Sequence, residues 1–94
     1  MSKHDQIAER LAKKFHTEYK SQKGIDLVLP NRVIEVEVFK STLDDGVRQV
    51  TYSSKARYIA VPKRSEKAAL EKTKGTGIGI MTEYGNIVKK AIRS

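Results

Sequence analysis

The chain has 94 residues and no cysteine, and its nineteen Lys and Arg against eleven Asp and Glu leave a formal net charge of +8. The length allows one small domain, 1–94, the missing thiols exclude disulfides, zinc–thiolate sites and cysteine nucleophiles, and the charge points to a polyanionic partner. With no apolar run of about 18 residues and no signal-peptide pattern, the chain reads as soluble, intracellular and cytoplasmic, with no membrane to account for its charge.

Ile7, Leu11, Phe15 and Tyr19 recur every four residues with Ala8 and Ala12 beside them, which is one apolar stripe of a helix. We expect that helix from about Lys3 to His16, with Asp5 near its positive start and Lys13 and Lys14 further along. A brief extended piece and a turn at "KSQKG" follow. "GIDLVL" and "RVIEVEVF" read as strands joined by "LPNR", where Pro30 and Asn31 suit the centre of a type I or II turn. "STLDDGVRQVTYSSKA" fits a helix with Ser41 or Thr42 as N-cap and Asp44 and Asp45 in its first turn. Leu43, Val47, Val50 and Ser54 give its inner face, and Gly46 costs it about 1 kcal/mol. "RYIAVP" is a strand stopped by Pro62, and "SEKAALEKT" is a helix capped by Ser65 and ended near Gly75. "GIGIMTEYGNIVKKA" reads as a strand, a turn at Tyr84, Gly85 and Asn86, and a second strand or tail. "GTGIG" lacks a Lys-Ser/Thr ending and enters a strand, so it is no nucleotide loop. The order predicts an α/β fold, a mixed β-sheet of four to five strands flanked by helices. "YIAV" and "IGIM" would be its central strands, buried on both faces.

Glu is a poor strand former, so Glu35 and Glu37 at alternate positions in one strand ask for a cause. If residues 29–32 form the turn, Val28 pairs with Val33 and Asp26 falls opposite Glu35. Asp26, Glu35 and Glu37 then share a face with Val28 and Val33, while Leu27, Leu29, Ile34, Val36 and Val38 fill the other. A one-residue slip would wet those apolar side chains and bury the acids. Two such carboxylates about 5 Å apart repel by roughly 3 kcal/mol at an effective dielectric of about 20. Protons, nearby Lys or Arg, or a divalent cation must offset that. Hard oxygen donors suit Mg²⁺ or Mn²⁺, and such an ion activates water and polarises a scissile phosphate. Acid at the centre with base around it suits hydrolysis of a polyanion. The plainer alternative is a half-solvated strand whose acids are neutralised by Arg32, Lys40 and Arg48.

Lys13, Lys14, Arg48, Lys55, Arg57, Lys63 and Arg64 are candidate phosphate contacts. Tyr52, Tyr58 and Tyr84 are candidates for stacking on bases or for core packing. His16 reads as a rim residue with no ligand role, and "IVKKAIRS" as a basic tail or edge strand open to DNA or a second subunit.

"GID" at 24–26, "IEVEVFK" at 34–40, "RQV" at 48–50 and "YIAVP" at 58–62 resemble the PD-(D/E)XK nuclease superfamily, which includes archaeal Holliday junction resolvases and many restriction endonucleases. The likeness in element order spans roughly residues 5–82. It implies a restriction endonuclease-like fold and a metal-dependent endonuclease acting on DNA. Asp26 and Glu35 take the ligand positions, with Glu37 as ligand or base. The family usually carries Lys where Glu37 stands, although some restriction enzymes look similar in having a second Glu there. Lys40 is the substitute cation at the strand end. By the same resemblance Glu9, or else Glu18, is the first-helix Glu that assists the metal, and Gln49 is the glutamine bordering the site. Ile25 replaces the family's proline. A homodimer would set two sites against two DNA strands. The alternatives are a catalytically inactive nucleic-acid-binding or scaffolding module of the same fold, and a basic protein-interaction domain.

Overall fold

Parallel strands need long crossovers, and two helical crossovers set the architecture here. In the computed structural model, which describes residues 2–20 and 24–92, β2 (Arg32–Val36) leads through α2 (Leu43–Thr51) to β3 (Ala56–Val61). β3 leads through α3 (Glu66–Lys72) to β4 (Gly79–Thr82), and β2, β3 and β4 run parallel. β1 (Leu27–Val28) and β5 (Ile87–Lys89) add antiparallel edges, giving one mixed sheet in the order β1-β2-β3-β4-β5. The helix α1 (Lys3–Lys14) precedes them all. Part of "KSQKG" and the end of "IVKKAIRS" lie outside the described residues.

Side chains alternate across a strand, and the sheet uses this to build two apolar layers. Ile7, Ala8, Leu11 and Ala12 of α1 pack with Leu27, Ile34, Val36, Val38 and Met81 on one face. On the other, Leu43 and Val50 of α2 and Ala69 of α3 meet Val33, Ile59, Val61 and Ile80. β3 sends Tyr58 and Ala60 to the first layer and Ile59 and Val61 to the second, as a central strand should. Each large side chain buried this way contributes roughly 1.5–3 kcal/mol. The hairpin register is Leu27↔Ile34 and Val28↔Val33, so Asp26 and Glu35 are brought together as the pattern required. Among the described residues no helix is long and apolar enough to cross a membrane.

Several element ends differ from expectation. α1 stops at Lys14 because His16 turns left-handed, with φ 56°. The His16 N–H donates to Lys13 O (3.3 Å) and the Thr17 N–H to Ala12 O (2.9 Å), which closes the helix end. Tyr19 therefore leaves the helical stripe. α2 ends at Thr51, and Ser54 is exposed beyond it. Neither expected hydroxyl cap forms: the Thr42 hydroxyl donates to Phe39 O (3.0 Å) and that of Ser65 to Val38 O (3.3 Å). Each of these helices is entered through a 3₁₀ turn, Lys40–Thr42 and Lys63–Ser65. The hairpin strands are also shorter than the sequence suggests, since β1 spans only Leu27–Val28 and β2 ends at Val36.

Candidate functional site

The three acids meet at the end of β2. Asp26 immediately precedes β1, Glu35 lies within β2, and Glu37 follows its last residue. The Glu37 N–H still donates to Ala60 O (3.0 Å), which holds it against β3. All three are buried, at 6, 7 and 8 % exposure for Asp26, Glu35 and Glu37. The backbone ties the first two together: the Asp26 N–H donates to Glu35 Oε1 (3.0 Å), and the Val36 N–H donates to Asp26 Oδ2 (2.9 Å).

No Lys or Arg among the described residues pairs with any of the three. The cations that the plainer alternative assigned to them are used elsewhere. Arg32 lies over the Tyr58 and Phe15 rings, at 5.5 and 5.7 Å, and Arg48 pairs with Asp45 at 3.0 Å. Lys40 is exposed. The electrostatic result follows from burial without compensation. Burial and the neighbouring Asp26 charge push Glu35 up to about 8. Burial also raises Glu37, and the Asp26 and Asp45 charges act in the same direction. Burial raises Asp26 too, where the Val36 N–H and His4 act against it.

Among the described residues His4 is the one basic partner bonded to the acids, and sequence reasoning missed it. Its Nε2 lies 3.0 Å from Asp26 Oδ2. Its Nδ1 lies 3.1 Å from Tyr19 Oη, which donates to Asp5 Oδ1 at 2.6 Å. Tyr19 has a single hydroxyl proton and gives it to Asp5, so the ring must carry hydrogen on Nδ1 to complete that contact. One proton is then left to lie between Nε2 and Asp26. The tyrosine pays for its place: burial and the Asp5 bond both raise it, while its hydrogen bond lowers Asp5. The signal was present, because His4 continues the stripe of Ala8, Leu11 and Phe15 one turn toward the N-terminus.

Gly46 is the second residue that the sequence did not flag. A Cβ there would stand 2.5 Å from Glu37 Cγ and 2.9 Å from its Oε2. The glycine that weakens α2 thus makes room for the third carboxylate, and an isolated Gly inside a helix was its only trace.

The remaining candidates are dispersed. Glu9, Glu18 and Gln49 are exposed, and among the described residues none is bonded to the acids; Gln49 lies beside Asp45, Arg48 and Tyr52. Lys55 donates to Leu29 O (2.8 Å) and Arg57 to Thr51 O and Thr76 O (3.1 and 2.8 Å), so both serve the fold. Lys14 donates to Tyr84 O (2.8 Å). Lys13, Lys63 and Arg64 are exposed, and their side chains have no bonded partner among the described residues. Tyr58 is buried and accepts the Ala91 N–H (3.1 Å), whereas Tyr52 is exposed and Tyr84 carries Arg10 over its ring at 4.7 Å.

No group of three His, Cys, Asp or Glu among the described residues encloses a metal position. Two hard-oxygen carboxylates with water and a phosphate oxygen completing the shell is how Mg²⁺ is ordinarily held. The fold and the site together define an α/β protein with a buried carboxylate cluster at the carboxyl end of a parallel strand, paired with no Lys or Arg among the described residues. Protein-family models, curated proteins and solved structures all fail to match this chain.

Proposed function

We propose that this protein is a metal-dependent hydrolase of DNA phosphodiesters with a restriction endonuclease-like fold. Three buried carboxylates, none of which pairs with a Lys or Arg among the described residues, are the observation that carries this reading. Asp26 and Glu35 would hold Mg²⁺ or Mn²⁺, with Glu37 as a further ligand or as the base. When bound, the ion would polarise the scissile phosphate and lower the pKa of a bound water. Glu37, raised by burial, is a stronger proton acceptor than an ordinary carboxylate. His4 would hold the Asp26 carboxylate in place beside the ion through Oδ2. Exposed Lys13, Lys63 and Arg64 would neutralise phosphates, so binding should weaken steeply with salt. A homodimer in the cytoplasm, with two sites against two strands, completes the proposal.

A second reading keeps the fold and drops the chemistry. It is favoured by Glu37 at the family's usual Lys position and by Lys40, which has no bond to the acids. Incubation with plasmid, junction and single-stranded DNA, with and without Mg²⁺ or Mn²⁺, separates the two. Metal-dependent cleavage that Asp26→Ala abolishes supports the hydrolase. Binding without cleavage supports the module, and failure to retain DNA at low salt overturns both.

A further inference from the structure

We infer that Phe39, Lys40 and Arg64 form a docking platform for an unpaired nucleotide of single-stranded DNA. A cavity of about 380 Å³ opens where the chain leaves β2 and β3, lined by Phe39, Lys40, Ser41, Arg64 and Ser65. The crevice outside the carboxyl ends of parallel strands is where open α/β sheets take their ligands. Phe39 is 60 % exposed there, directly after the buried Val38. Its backbone is extended, with φ −112° and ψ 146°, just before the 3₁₀ turn Lys40–Thr42.

The charge around this ring is free to be used. Neither the Lys40 nor the Arg64 side chain makes a hydrogen bond or ion pair among the described residues. Nearby Lys72, by contrast, is taken up by Asp44 at 2.9 Å. An aromatic face flanked by two unpaired cations is complementary to a base with its phosphates. A duplex hides its base faces and cannot use the ring. An acidic peptide would use the cations and leave the ring idle, so nucleic acid is the better match. The platform lies two residues beyond Glu37, which links it to the carboxylate cluster. Only that functional link rests on the hydrolase reading; the binding itself does not.

The test is fluorescence anisotropy of a labelled single-stranded oligonucleotide in EDTA, where no metal chemistry operates. The single strand should bind more tightly than the same sequence as a duplex. Phe39→Ala should weaken single-strand binding roughly 5- to 100-fold and leave duplex binding unchanged, while Phe39→Trp retains it. The double variant Lys40→Ala/Arg64→Ala should shallow the salt dependence by about 0.7 per lost phosphate contact. Phe39 is exposed, and thermal melts confirm that each variant is folded. Unaltered affinity in folded Phe39→Ala, or equal competition by polyglutamate, overturns the platform. A protein that cleaves nothing yet binds through Phe39 would leave this inference standing and end the hydrolase reading alone.

Discussion

His4 Nε2 lies 3.0 Å from Asp26 Oδ2, a contact that ties the first turn of α1 to the start of the hairpin. His4→Ala would leave that buried oxygen with the Val36 N–H as its one bonded partner among the described residues. The expected cost is about 1–3 kcal/mol, read from urea unfolding. The double variant His4→Ala/Asp26→Ala should lose less than the sum of its singles. Strict additivity would show that the two side chains are not coupled.

Stability should fall as pH rises. Glu35 is pushed up to about 8, from an ordinary 4.5, by burial and by Asp26. Between those values the folded chain keeps a proton that the unfolded chain has released, so each pH unit costs up to about 1.4 kcal/mol. Below the lower value both states are protonated and nothing is lost; above the upper one both are ionised and the penalty is complete. Asp26 and Glu37 act in the same direction. Urea titrations without metal should find the protein weaker by a few kcal/mol at about pH 8 than at about pH 5. Glu35→Gln should flatten the profile, and a profile that rises with pH would contradict the burial of these acids.

A divalent ion should reverse that loss. Mn²⁺ at one hundred times its dissociation constant would add about 2.7 kcal/mol to a protein that binds it only when folded. The expected readout is a rise in Tm near pH 8 that Glu35→Ala removes. An equal rise in wild type and variant would place the ion elsewhere.

Gly46→Ala tests the room left for Glu37. Helix propensity alone favours Ala by about 1 kcal/mol. The new Cβ would lie 2.5 Å from Glu37 Cγ, and such overpacking costs about 1–3 kcal/mol. Net destabilisation is expected in the wild-type background. With Glu37→Ala already present, the same change should stabilise, and calorimetry of the four proteins resolves the sign.

His16→Gly should stabilise the chain by about 1 kcal/mol, because His16 holds a left-handed conformation that glycine adopts freely. The residue is exposed, so no packing is lost. A fall in Tm would show that the ring contributes something beyond the turn.

The strand pairing was legible because alternation is a local property. In "DLVL" and "RVIEVEV" only one register buries Leu27, Ile34 and Val36 together, and that register also gathers the acids. The helix ends were less legible, since they depended on bonds that no propensity encodes. Ser65 spends its hydroxyl on Val38 O, not on the helix it precedes. Lys55 and Arg57, which read as phosphate contacts, hold backbone carbonyls of neighbouring loops. A basic side chain has the same letter in either role.

By itself the sequence determined the α/β layering, the hairpin register and the clustering of Asp26 with Glu35, because each follows from periodicity within a few residues. The tertiary structure alone decided that no Lys or Arg among the described residues reaches those acids, that His4 does, and that Gly46 clears space for Glu37. These relations join residues far apart in the chain, and their distances are set by how α1 and α2 settle on opposite faces of the sheet. Packing of the apolar layers fixes that placement, and the polar contacts follow from it.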